Sequence, residues 1–226
     1  MVEFLFLDLD DTILDFHKAE RIALSKTLRS FGIEPTEHVL GRYHVLNKAC
    51  WERLEKGELT REQVVVRRYE LLFAELGMEC DAEAVTALYS KNLAIGHYVL
   101  PGAEEAVDAL SKKYRLFLAS NGTADVQAGR MTSANLYRFF EKVFVSQDIG
   151  YNKPAREYFD HCFAQIPDFD PGKAMIVGDS LTSDIQGGIN AGIRTCWVNP
   201  DHKEGHIKAD YEIEALSQLP ELLETL

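Results

Sequence analysis

Five apolar runs of strand length, separated by segments of helix length, constrain this chain more than any other feature. They read EFLFLDL (3–9), YRLFLAS (114–120), KVFVS (142–146), KAMIVGD (173–179) and RTCWVN (194–199). Their apolar stretches do not alternate with polar residues, which is the pattern of strands buried on both faces of a parallel sheet. The intervening segments GAEEAVDALSKK (102–113), 123–136, PAREYFDHCFAQ (154–165) and TSDIQGGINAG (182–192) read as helices. Strands alternating with helices of this length form βαβ units, so the expected class is α/β with a doubly wound, Rossmann-like parallel sheet. The tail ADYEIEALSQLPELLETL predicts a short edge strand and a closing helix.

Residues 15 to 99 follow a different rule. Apolar positions there recur at helical spacing, as at Leu24, Leu28 and Phe31 or Leu46, Cys50 and Leu54. Thr60 and Gln63 form a capping box, and Asp81 is a further N-cap candidate. About four helices are expected and no strand. The division that follows is a sheet domain over 1–14 and 100–226 with a helical cap over 15–99. Asp15–His17 and Tyr98–Gly102 are the natural hinges between the two.

Composition narrows the partners. The formal net charge of −12 disfavours broad contact with nucleic acid polymers or anionic lipid, and it leaves a small phosphorylated substrate open. No apolar stretch approaches the roughly 20 residues of a membrane span. The N-terminus lacks a basic leader and runs directly into a strand, and the four cysteines are scattered without a CxxC pair. Reduced thiols and a cytoplasmic location are the expectation.

In open parallel sheets, ligands bind beyond the carboxyl ends of the strands. Asp8, Ser120 and Asp179 all fall at such ends, with Asp10 two residues after Asp8 and Asp184 five after Asp179. Carboxylates converging on one sheet edge repel one another strongly unless a cation sits among them. Oxygen ligands without Cys or His favour Mg²⁺ over zinc. Ser120, in LASNG, offers a hydroxyl to phosphate oxygens with Asn121 beside it. Lys153, in GYNKP, is a cation just before a helix, with Pro154 suited to the first helical position. Several of these residues also have ordinary readings. Asp11 reads as a turn acid or a charge at a helix start, and Asp184 could simply cap its helix. The glycines of QGGINAG suit close packing of helix on sheet. His17 is either a site residue or a solvated hinge histidine.

The ordered set DLDDT, LASNG, NKP and GDSLTSD resembles the four motifs of the haloacid dehalogenase superfamily of aspartate-nucleophile phosphatases. The insertion after the first motif resembles that superfamily's C1 helical cap. The resemblance implies Asp8 as nucleophile, carrying an aspartyl-phosphate, and Asp10 as acid to the leaving alcohol and then base to water. It also implies Ser120, Asn121 and Lys153 on the phosphoryl group. Mg²⁺ would be held by the Asp8 and Asp179 carboxylates and the Asp10 backbone carbonyl, with Asp184 in support.

Dehalogenases of this superfamily usually lack the second acid and need no metal, so Asp10 and Asp179 imply a phosphatase. A phosphosugar phosphatase or a β-phosphoglucomutase-like mutase would keep both. The cap segment VLNKACWERLEKGELT with the later TCWVN is similar to the YjjG-type pyrimidine 5′-nucleotidases, implying a nucleoside monophosphate as substrate. Trp51 could then stack on the base or merely pack in the core, and Asn47 could read a base edge or lie on the helix surface. A phosphorylated receiver-like switch or an inactive binding relative would be the non-enzyme alternatives. A receiver is far shorter and has no inserted lid, and an acid at Asp10 would shorten the life of any phosphorylated switch.

Overall fold

The structure, a computed structural model, describes all residues from Met1 to Leu226. Strand β1 (Phe4–Leu7) is followed by four helices, α1 (Phe16–Ser30), α2 (Glu37–Glu55), α3 (Arg61–Leu76) and α4 (Ala82–Ala94). The chain then returns through α5 (Ala103–Ser111), β2 (Arg115–Ser120), α6 (Ala124–Ser133), β3 (Lys142–Val145) and α7 (Ser146–Ile149). Next come α8 (Arg156–Phe163), β4 (Ala174–Gly178), α9 (Gln186–Ala191), β5 (Arg194–Val198), β6 (Tyr211–Ile213) and α10 (Leu219–Glu224). All six strands are parallel, in the order β3-β2-β1-β4-β5-β6. The expected doubly wound sheet and the closing edge strand and helix are present.

The unbroken apolar runs make sense on this sheet. In β1, Phe4 and Phe6 point to one face and Leu5 and Leu7 to the other, and all four are fully buried. The leucine face packs against Val107 and Leu110 of α5, Met131 of α6 and Leu223 of α10. The phenylalanine face packs against Phe117, Phe144 and Ile176 of the sheet and Tyr158 and Phe159 of α8. Each such side chain contributes about 1.5–3 kcal/mol by burial. The GG pair of α9 matches the packing expectation: a Cβ on Gly188 would stand 2.6 Å from side chains of Ile176 and Thr195.

Helices α1–α4 carry an apolar cluster of their own, built on Leu24, Leu28, Tyr43, Tyr69, Leu72 and Tyr89. The capping box forms as expected, with Thr60 Oγ1 accepting from Gln63 N–H and Gln63 Oε1 accepting from Thr60 N–H. Asp81 caps α4 by accepting from the Glu83 and Ala84 amides, both at 3.0 Å. The outgoing and returning connections run side by side. Asp15 N–H donates to Tyr98 O at 2.8 Å and Leu100 N–H to Ile13 O at 2.9 Å.

Two local expectations change. Pro154 is not the first residue of a helix: residues 152–155 close a turn, in which Ala155 N–H donates to Asn152 O, and α8 begins at Arg156. Nor does 182–192 form one regular helix. Residues Leu181–Ile185 make a wider π turn before α9, because Ser180 Oγ caps Ser183 N–H while Asp184 folds back onto the Ser180 amide.

Candidate active site

The acidic tip of β1 opens into a cavity of about 220 Å³ between the carboxyl edge of the sheet and the helical layer. Asp8, Asp10, Ser120, Asn121, Lys153, Asp179 and Asp184 all line it. Segments scattered over most of the chain therefore converge on one place.

Lys153 is the hub, with 1% of its surface exposed. Its ammonium donates to Asp8 Oδ1 at 2.7 Å, to Asp184 Oδ1 at 2.6 Å and to Ala119 O at 2.6 Å. Burial opposes the ammonium charge, yet Asp184 and Asp8 hold its pKa above the ordinary lysine value. Asn121 lines the cavity and also fixes this lysine. Its Nδ2 donates to Lys153 O, and its Oδ1 accepts from Lys153 N–H, both at 2.8 Å. Asp184 Oδ2 is also occupied, accepting from Ser180 N–H at 3.1 Å.

Asp10 is anchored by α6. Arg130 forms an ion pair with its Oδ1, and Gln127 Nε2 donates to its Oδ2 at 2.7 Å. The same Gln127 amide donates to Ser120 Oγ at 2.8 Å, tying acid and hydroxyl together. Arg130 Nε reaches Gly96 O at 3.2 Å, beside the returning connection. Sequence reasoning missed both residues. Their spacing, three apart on the helix right after the LASNG segment, was the available signal.

Asp11 serves the chain path. Its Oδ1 accepts from Phe16 N–H at 2.9 Å at the start of α1, and its φ of 54° lies in the left-handed region. His17 lies outside the cavity lining, its Nε2 3.5 Å from Asp11 Oδ2.

The helical layer contributes Trp51, Glu55, Arg68, Ser90 and Leu93 to the cavity. Asn47 is buried, and its amide is consumed: Oδ1 accepts from Trp51 Nε1 at 3.0 Å and Arg68 Nη1 at 2.8 Å, while Nδ2 donates to Glu20 at 2.7 Å. It therefore orients the two side chains that reach the cavity. Arg68 lies among the rings of Tyr43, Tyr69 and Tyr89, with centroids 4.9–5.7 Å from its guanidinium carbon. A second arginine bridges the layers. Arg61 of α3 donates to the carbonyls of Asn121 and Gly122, to Ser146 Oγ and to Asn152 Oδ1. Nothing in its sequence neighbourhood, a helix start, announces that reach.

The site carries more negative charge than its lysine balances. Carboxylate oxygens of Asp8, Asp179 and Asp184 lie within 4.8 Å of one another. Burial, partly offset by Lys153, pushes Asp8 up to about 7. Burial together with Asp8, Asp184 and Asp11 holds Asp179 well above the usual carboxylate range. With Asp184 engaged by Lys153 and Ser180, Asp8 and Asp179 remain to receive a cation. An oxygen-only donor set of this charge fits a hard divalent ion such as Mg²⁺.

Comparison with known proteins agrees with this arrangement. A family model described as haloacid dehalogenase-like hydrolase matches residues 5–198. YfnB of Bacillus subtilis (strain 168), assigned by name to the HAD hydrolases, is 38% identical over 97% of this chain and 94% of its own length. The pyrimidine 5′-nucleotidase PynA of Streptococcus pneumoniae is 36% identical over 98% of this chain and 95% of its own. The pyrimidine 5′-nucleotidase YjjG of Escherichia coli (strain K12) is 27% identical over 98% and 97%. A crystal structure of YfnB, described as bound to magnesium and revealing interdomain movement, superposes with a TM-score of 0.95 over 99% of both chains. A chain that carries this sheet, this acidic edge and these relatives belongs to the haloacid dehalogenase-like hydrolases.

Proposed function

We propose that this protein is a phosphatase that hydrolyses nucleoside 5′-monophosphates, pyrimidines preferentially, through an aspartyl-phosphate on Asp8. The observation that carries the reading is the Asp8–Lys153–Asp184 chain at the sheet edge, with Ser120 and Asp10 in the same cavity. The two relatives named as pyrimidine 5′-nucleotidases support the substrate class.

In this mechanism an Asp8 carboxylate oxygen attacks phosphorus, and the bond from phosphorus to the ester oxygen breaks. Asp10 first takes up a proton from solvent, with one oxygen released from Arg130 or Gln127, and then gives that proton to the departing nucleoside oxygen. Asp10 then takes a proton from water as that water attacks the aspartyl-phosphate, which releases inorganic phosphate and restores Asp8. Lys153 and Ser120 hold the phosphoryl oxygens, with Asn121 and Asp184 fixing the lysine. Gln127 and Arg130 keep Asp10 beside Ser120. Mg²⁺, held by Asp8, Asp179 and the Asp10 carbonyl, would neutralise phosphate charge and fix its orientation.

The helical layer acts as the lid over a core made of 1–14 and 100–226, with 15–99 moving on the paired connections. Trp51 offers the base an aromatic face and Arg68 a donor for a carbonyl oxygen. Other relatives are named N-acylneuraminate-9-phosphatase and glyceraldehyde 3-phosphate phosphatase, so the test must include sugar phosphates.

The experiment is a panel of UMP, dUMP, TMP, CMP, AMP and sugar phosphates with Mg²⁺, using wild type beside Asp8→Asn. The expected result is turnover favouring pyrimidine nucleotides in wild type and none in the variant. Faster turnover of sugar phosphates than of any nucleotide would overturn the substrate assignment. Undiminished activity in Asp8→Asn would overturn the mechanism.

A further inference from the structure

Outside the catalytic cavity, a second set of potential ligands gathers where α1 and α2 meet. Imidazole nitrogens of His17 and His44 and a carboxylate oxygen of Glu20 lie within 4.8 Å of one another. His17 and Glu20 are three residues apart on α1, so they share a face, and His44 comes from α2 opposite. His44 Nδ1 is 3.0 Å from Glu20 Oε2, and the two imidazole rings have centroids 5.0 Å apart.

The carboxylate is set up as a ligand in a way that an ordinary surface pair is not. Glu20 is 4% exposed, and its other oxygen, Oε1, accepts from Asn47 Nδ2 at 2.7 Å. Asn47 is itself locked by Trp51 and Arg68. That arrangement is the outer support a metal-binding carboxylate needs, leaving Oε2 directed at the histidines. Asp11 Oδ2, 3.5 Å from His17 Nε2, stands close enough to serve as an additional oxygen ligand or as an outer partner. Both imidazoles keep one edge in solvent, with side-chain exposures of 64% for His17 and 43% for His44, so an ion has a route in.

We propose that His17, His44 and Glu20 form a binding site for a divalent transition metal of the zinc class, distinct from the carboxylate site at the sheet edge. Two imidazoles and one carboxylate with room for solvent are a donor set that zinc accepts readily. The same set suits Mg²⁺ poorly, because that ion takes oxygen ligands. The two sites thus separate by ligand chemistry, nitrogen-rich against oxygen-only. An ion here ties α1 to α2 beside the loop that carries Asp10 and Asp11.

The test is titration of the full-length protein with Zn²⁺ by calorimetry, in excess Mg²⁺, and with Co²⁺ as a spectroscopic probe of nitrogen ligation. One equivalent is expected to bind, with visible Co²⁺ bands of a low-coordinate site. His17→Ala alters an exposed side chain and should weaken binding about 10-fold or more, as should His44→Ala. Asp179→Asn should leave the Zn²⁺ isotherm of this site in place. Absence of stoichiometric binding to wild type overturns the proposal, as does equal affinity in His17→Ala. So does loss of the site in Asp179→Asn with retention in both histidine variants.

Discussion

Replacing Asp179 by Asn should make the metal-free protein more stable while abolishing its response to magnesium. The reasoning starts from like charges. Asp179 shares a region with Asp8 and Asp184 in which carboxylate oxygens lie within 4.8 Å of one another. At an effective dielectric of about 20, each pair at that distance costs roughly 3 kcal/mol. Lys153 offsets part of this through Asp8 and Asp184. A net relief of about 2–3 kcal/mol remains for the neutral amide, which is nearly the same shape. For a chain of this size that corresponds to a melting temperature higher by about 5–10 °C.

The assay is thermal unfolding at pH 8 in EDTA and then in a series of Mg²⁺ concentrations. Wild type should gain about 2.7 kcal/mol when Mg²⁺ reaches 100 times its dissociation constant. The variant should gain almost nothing, so the order of the two proteins converges or inverts as magnesium is added. A variant less stable than wild type in EDTA would refute the charge argument. An equal magnesium response would refute the assignment of Asp179 as a ligand.

Two further outcomes follow from the same geometry. Carboxyl groups whose folded pKa lies above the unfolded value bind protons more tightly in the folded state, so their protonation stabilises the fold at low pH. That contribution is complete below about 4 and is lost as pH rises through the value of about 7 held by Asp8. Metal-free wild type should therefore melt higher at pH 6 than at pH 8, and an Asp8→Asn, Asp179→Asn double variant should lose most of that difference. A wild-type melting temperature that falls between pH 8 and pH 6 would contradict this. Arg61→Ala removes a charged group bonded to acceptors on three separate core segments. It should cost about 2–4 kcal/mol of stability and lower kcat/KM. Hydrogen exchange should quicken around residues 121–123, and unchanged exchange there would show that Arg61 does not hold this loop.

Strands and their order of appearance were legible because a parallel sheet buried on both faces leaves unbroken apolar runs such as FLFL and AMIVG. The convergence of Asp8, Ser120 and Asp179 was legible because each sits at or just past a strand end. Lys153 joins them through the NKP segment, although a turn stands where a helix start was expected. What stayed hidden depends on side-chain reach rather than pattern. Arg130 reads as an ordinary helical cation, yet it is buried and holds Asp10. Asn121 resembles a phosphate ligand by position, and its second task, bonding the Lys153 backbone through its side-chain amide, leaves no mark in the sequence. The π turn at 181–185 arises from Asp184 serving Lys153 and Ser180 together, a tertiary demand that no local propensity encodes.

The central position of β1 has a consequence for biosynthesis. Its two neighbours begin at Arg115 and Ala174, so β1 cannot be hydrogen-bonded on both sides until synthesis has passed β4. Helices α1–α4, whose contacts are nearer in sequence, can gather first while FLFL waits unpaired. The nascent chain therefore carries this apolar segment through much of synthesis without its second partner, and a chaperone that shields β1 until β4 has emerged should raise the yield of active protein.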